Sequence, residues 1–144
     1  TEVVSSDWCR ALVSDDENDQ AATADAFAVL HHIVGLRLAR GRFTVVDATS
    51  VLPGSRAALL TIARRAALPV SAIVLDLPEA VLQARHAARA DGRDIPYEAV
   101  LRQREQLHRG IGALHHEGLA ALHMLRDADA VDRAPVRRVP LPVD

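Results

Sequence analysis

Apolar and polar positions along the 144-residue chain change period several times. Glu2–Ser5 is a short β-branched run that predicts a strand, and Asp7–Val13 predicts a helical turn after it. From Asp19 or Gln20 the period lengthens. Ala22, Ala26, Val29, Leu30, Ile33 and Leu36 recur at three- and four-residue steps, which places them on one stripe of a long helix, with Gly41 positioned to stop it. Phe43–Val46 then reads as an apolar strand closing on Asp47. "LPGSRAALLTIARRAAL" reads as a turn and a helix, with Pro53 near the first turn. Val70–Leu77 is a largely apolar run, which suits a strand buried on both faces of a parallel sheet. Pro78 and Glu79 open a helix that runs to about Ala88, and "ARADGRDIP" is a charged connector broken by Gly and Pro. Tyr97–Glu117 returns to helix, with Val100, Leu107, Ile111 and Leu114 on one side and Gly118 as its cap. "LAALHML" is a last strand candidate, and "RAPVRRVPLPVD" reads as a linker or extended tail. The expected organisation is one domain over residues 1–132 and a tail over 133–144.

Strands alternating with helices predict an α/β layer fold with a mainly parallel sheet. Ligands of such sheets gather at the carboxyl ends of the strands. Here those ends carry Ser6-Asp7, Asp47-Ala48-Thr49 and Asp76. Each Asp alone is an ordinary N-cap or turn former. Three in succession point towards a site.

Composition changes this picture in one respect. Acidic and basic residues nearly balance, at a formal charge of -2, but all 17 basic residues are Arg and none is Lys. With 26 alanines in the chain, genome composition accounts for much of that bias. Arg also suits bidentate phosphate contacts, so position has to decide between the two. The single cysteine, Cys9, permits no internal disulfide, which fits a reducing, cytoplasmic compartment. No apolar run approaches the ~18 residues of a membrane span, and no signal peptide opens the chain.

Three constellations carry chemistry. Asp7 sits just past a strand, where a carboxylate can accept a hydroxyl proton, and Arg10 one helical turn on can hold a phosphate; the competing account is a local ion pair. "VVDATS" has the form of a strand ending in an acid, Asp47, that orients magnesium. Arg85, Arg89 and Arg93 fall at four-residue steps, a layout for a lid over phosphoryl groups or for a solvated face. The acidic run Asp15, Asp16, Glu17 and Asp19 is not a calcium loop. Counted from Asp15, the sixth and twelfth positions hold Gln20 and Ala26 where glycine and a bidentate acid are needed. The histidine pairs His31-His32 and His115-His116 lack zinc-site spacing, and Cys9 is expected to pack.

"SSDWCRALVSDDENDQAATADAFAVLHHIVGLRLARGRFTVVDATSV", "AIVLDLPEAVLQARHAARADGRD" and "QLHRGIGALHHEGLAALHML" together resemble the kinase domain of bacterial polynucleotide kinase-phosphatase, an RNA-repair family. The resemblance runs from Val3 to about Val131, and the more distant phage polynucleotide kinase shares the Asp-x-x-Arg pattern. It implies a P-loop phosphotransferase fold and ATP- and Mg2+-dependent transfer of a γ-phosphate to a 5′-OH end of RNA or DNA. By position, it implies Asp7 as general base and Arg10 on the acceptor's 3′-side phosphate. It likewise implies Arg85, Arg89 and Arg93 as the lid and Asp47 as the magnesium-orienting acid. The run Asp16–Asp19 is a family hallmark. Two local departures stand out. "RADGR" is one residue longer than the family's Arg-Pro-Asp-Arg, and Ser50 stands where the family has Asn.

The larger departure is an absence. A chain without Lys has no Gly-x-x-x-x-Gly-Lys-Ser/Thr loop to cradle phosphates. The expectation is that roughly 25–30 residues, a strand, the loop and the start of a helix, precede Thr1. That strand would lie between Phe43–Asp47 and Val70–Leu77, so the chain alone is expected to be inactive, and to be poorly stable, to close its sheet in a different way, or to recruit another chain, as in a homodimer. The Pro- and Arg-rich tail is where the family continues into a phosphatase module. The rival readings are a small-molecule P-loop kinase and a non-catalytic nucleotide- or RNA-binding module.

Overall fold

The computed structural model describes residues 2–89 and 95–137. The β-branched run forms β1 (Val3–Ser5), which passes without a loop into α1 (Ser6–Ser14). The Ser5 hydroxyl caps α1 by accepting from Asp7 N, and Asp15 ends the helix in the left-handed region at φ 58. Asp19 caps a 3-10 turn over Gln20–Ala22 that leads into α2 (Thr23–Ala39). Gly41, at φ 63, stops α2 as expected. Then follow β2 (Val45–Asp47), α3 (Pro53–Arg65) and β3 (Ser71–Leu75). They are succeeded by α4 (Glu79–Ala87), α5 (Tyr97–Gly110), a 3-10 turn over Ile111–His116, β4 (Ala121–Leu125) and α6 (Ala128–Asp132).

The strands are parallel and form two pairs, with a break between β2 and β3 where the sequence reading leaves room for a missing strand. β1 pairs with β2 in the register Val3↔Val45, Val4↔Val46, Ser5↔Asp47. β3 pairs with β4 from Ser71↔Ala121 to Leu75↔Leu125. No ladder joins β2 to β3 among the described residues, so the fold holds two separate two-stranded sheets. Each strand of a two-stranded sheet keeps one edge of unpaired backbone N–H and C=O groups.

Period-two alternation sorts the strand residues into a covered face and a bare one. Val4 is buried, and its register partner Val46 packs against the same core. Their neighbours Val3 and Val45 share the opposite face and are exposed, as are Ile73 (66 %) and Leu75 (53 %) on β3. The core lies under the covered face of the first pair. Val4, Cys9, Ala26, Leu30 and Val34 are buried there, and Val29, Ile33, Leu38, Leu59 and Ile62 pack around them. Cys9 and Ala26 let α1 approach α2 closely. In the second half Leu77 and Leu114 are buried, whereas α4 and α5 contain no buried residue.

Several expectations need correction. The stripe of α2 runs Ala22, Ala26, Leu30, Val34, so Leu36 falls off it and is exposed. Four-residue steps drift slowly around a 3.6-residue helix, and Val34 continues the line where Leu36 cannot. Phe43 is outside β2 and exposed, because the Arg37 guanidinium takes its carbonyl and the Thr44 hydroxyl. The helix expected over Tyr97–Glu117 ends at Gly110 and tightens into the 3-10 turn, where Gly110 and Gly112 weaken the α-helix. The polar stretch after Arg126 contains α6, capped by the Asp127 carboxylate.

Candidate functional site

Parallel pairing puts the carboxyl ends of β1 and β2 side by side. Ser5 is in register with Asp47, and Asp7 follows Ser5 by two residues in the first turn of α1. Two of the strand-end acids therefore stand at one edge of one sheet. Asp47 is exposed there.

Arg10 is one turn along α1 from Asp7. Its Nη1 donates to Asp7 Oδ1 at 2.8 Å and to the Glu17 carbonyl at 2.9 Å. The Arg10 side chain is only 8 % exposed and that of Asp7 33 %, so this is not the solvated surface pair that the spacing alone allows. Arg10 Nε is buried with no hydrogen-bond partner among the described residues. A guanidinium held out of water and incompletely bonded is costly, so its retention here calls for an explanation.

The acidic run beyond α1 builds the wall that holds Arg10. The Ser14 hydroxyl lies 2.9 Å from the carbonyls of both Arg10 and Asp16. Asp16 accepts from Asn18 N, Asp19 accepts from Ala21 N, and the Glu17 carbonyl is thereby turned back onto Arg10. The Asp16 and Asp19 carboxylates serve a turn and a cap, and among the described residues no three His, Cys, Asp or Glu side chains are grouped to hold a metal ion. Cys9 is fully buried in the core with Val4, Ala26, Leu30 and Val34, and burial pushes its thiol pKa up, as expected of a packing residue.

Arg85 lies in the last turn of α4 and Arg89 just beyond it, both exposed, on the element that follows β3. Arg93 lies outside the described residues. The structure thus gathers Asp7, Arg10 and Asp47 at the first strand pair and leaves Arg85 and Arg89 with the second.

Two further polar clusters escaped the sequence reading. Arg56 on α3 grips the Glu117 carboxylate with two nitrogens, Nε at 2.7 Å, and its Nη1 donates to the Ser50 carbonyl at 2.7 Å. Arg64 adds a bond to the Glu117 carbonyl at 2.8 Å. The Arg56 hydrogen bond holds the Glu117 carboxyl below its ordinary value. The contact ties the strand-end loop after Asp47 to the segment before β4. At the end of β3, His108 Nε2 lies 2.6 Å from Asp76 Oδ1, and Arg126 Nε lies 3.9 Å from Asp76 Oδ2. Asp76 was legible as a strand-end acid; its partners 32 and 50 positions away carried no local signal.

A shallow depression lined by Ile33, Leu36, Arg37, Arg40 and Arg42 sits at the carboxyl end of α2. It is near the amino end of β2, away from Asp7 and Asp47. No described helix is long and apolar enough to cross a membrane. Residues 1–114 match the family model described as AAA domain. No curated protein matches the chain.

Proposed function

The chain belongs to the AAA domain family, within the P-loop NTPase superfamily, and from that premise we propose that it is the acceptor-side part of an ATP-dependent polynucleotide 5′-hydroxyl kinase domain. The observation that carries this reading is the Asp7–Arg10 pair, its guanidinium buried and its carboxylate partly exposed, at the carboxyl end of β1 beside Asp47. In this reading Asp7 accepts the proton of a 5′-hydroxyl as that oxygen attacks the γ-phosphorus of ATP. The bond from the γ-phosphorus to the bridging oxygen breaks, and ADP leaves with that electron pair. Arg10, held in place by Asp7 and the Glu17 carbonyl, sets the acceptor by its neighbouring phosphate. Arg85 and Arg89 cover the ATP phosphates.

Magnesium in phosphoryl transfer is usually held by one or two carboxylates together with the substrate's phosphates. A single exposed strand-end acid, Asp47, fits that share of the task. The bound ion would neutralise charge developing on the phosphates. The 144 residues include no Lys, so the phosphate-cradling loop has to come from outside them. The split between β2 and β3, with its unpaired edges, supports a further strand at that position, carrying the loop at its carboxyl end.

The test is transfer of the ATP γ-phosphate to a 5′-OH oligonucleotide by the chain joined to a strand and phosphate loop. Transfer is expected with the joined protein and not with the chain alone. Asp7→Ala in the joined protein is expected to lower kcat by at least about 100-fold while ATP still binds. No transfer to any 5′-OH RNA or DNA, with turnover of a small-molecule acceptor instead, would sink the polynucleotide reading. Intact binding with no transfer to either acceptor would point to a binding module.

A further inference from the structure

The α4–α5 hairpin is stitched together internally. The Tyr97 hydroxyl donates to the Glu79 carbonyl at 3.4 Å, and the Tyr97 and His86 rings lie 5.3 Å apart. Arg104 Nη1 is 3.9 Å from Glu79 Oε2. Neither helix has a buried residue, and His86 Nδ1 and Arg104 Nε are shut away without a hydrogen-bond partner among the described residues. A segment with few buried apolar contacts opens at little cost, so its position depends on whatever ties it to the sheet.

Among the described residues, a tie to the sheet lies at the far end of α5, which carries His108. Asp76 is a rigid post: its backbone N–H donates to the Leu125 carbonyl at 2.9 Å, which extends the β3–β4 ladder by one residue. Its carboxylate is 16 % exposed and meets His108 Nε2 at 2.6 Å. An ionised carboxylate only accepts, so Nε2 must carry the proton and donate. Because α4 begins three residues after Asp76, this bond closes the hairpin onto the strand end from which it starts.

We infer that His108 is a positioning residue: its hydrogen bond to Asp76 fixes where the α4–α5 hairpin, and with it Arg85 and Arg89, stands relative to the carboxyl end of β3. The inference rests on the kinase reading only for what Arg85 and Arg89 hold. The mechanical link stands without it.

Hydrogen exchange on the chain itself tests the link. In His108→Ala, amides of residues 79–89 and 97–107 are expected to exchange at least about tenfold faster, with amides of α2 around Leu30 unchanged. His108→Gln places an amide N–H near the position of Nε2–H and is expected to return exchange to within about threefold of wild type. Unchanged exchange in His108→Ala, an equal rise in α2, or no rescue by His108→Gln overturns the inference. In the protein that carries a phosphate loop, His108→Ala is expected to raise KM for ATP about tenfold and leave KM for the 5′-OH strand within about twofold. Equal changes in both would overturn the positioning role. A wild-type protein without transfer would refute the kinase reading alone, since the exchange result is independent of it.

Discussion

Glu117→Gln is expected to destabilise the chain in a strongly pH-dependent way. Arg56 and Glu117 are 12 % and 14 % exposed, and two guanidinium nitrogens meet the two carboxylate oxygens. Exposed pairs are worth up to about 1 kcal/mol, and breaking a fully buried one costs about 3–5 kcal/mol. A pair this enclosed belongs between them, so the loss should be about 2–4 kcal/mol. That is a large share of the roughly 5–15 kcal/mol by which domains of this size are stable. The direction with pH follows from the carboxyl. Arg56 holds Glu117 below its ordinary value of 4.5, so the stabilisation is complete above that value and drains as pH falls through the lower folded one. Urea melts of wild type and Glu117→Gln should therefore differ by about 1–2 M in midpoint at pH 7 and converge only in acid below pH 4.5. The double variant Arg56→Met/Glu117→Leu should recover most of the loss, because no buried charge is left alone. The Ser50 carbonyl, which loses its Arg56 donor, accounts for the remainder. A pH 7 loss under about 0.5 kcal/mol, or an equal difference at pH 3.5 and pH 7, would refute the reasoning.

Ala67, exposed at φ 53, ends α3 in a left-handed turn: Leu68 N donates to the Ala63 carbonyl and Ala67 N to that of Arg64. Only glycine adopts that conformation without steric cost, so Ala67→Gly should stabilise the chain by about 1 kcal/mol in the same melts. Cys9 is fully buried and its thiol pKa is raised, so in native buffer at pH 8 iodoacetamide should label it at less than about a tenth of the rate in 6 M urea. Equal rates would mean that α1 does not stay packed on α2.

Much of the first half was legible because its signals are local. Helix period, the Gly41 stop and the strand-end acids Asp7 and Asp47 each depend on neighbours within a few residues. The Asp7–Arg10 spacing gave the pair, though not its burial, which depends on the loop around Glu17 folding back. The illegible features are long-range. Glu117 finds Arg56 across 61 positions, and His108 finds Asp76 across 32. Neither pairing follows from periodicity. The end of α5 at Gly110 and the strand that stops short of Phe43 were set by weak helix propensity and by Arg37, which the apolar pattern could not register.

The two strand pairs also differ in how the chain can reach them. Each closes a loop of roughly 40–50 residues, so the entropic cost of closure is nearly the same for both. The return is not. Within the first loop α1 and α2 bury Cys9, Ala26, Leu30 and Val34 together, whereas α4 and α5 within the second contain no buried residue and, among the described residues, only Leu77 and Leu114 beside them are buried. Assembly should accordingly begin with β1, α1, α2 and β2, and β3 should meet β4 late, against a half that is already built. Folding φ-values at Leu30 and Leu122 read that order directly, and a higher value at Leu122 would reverse it.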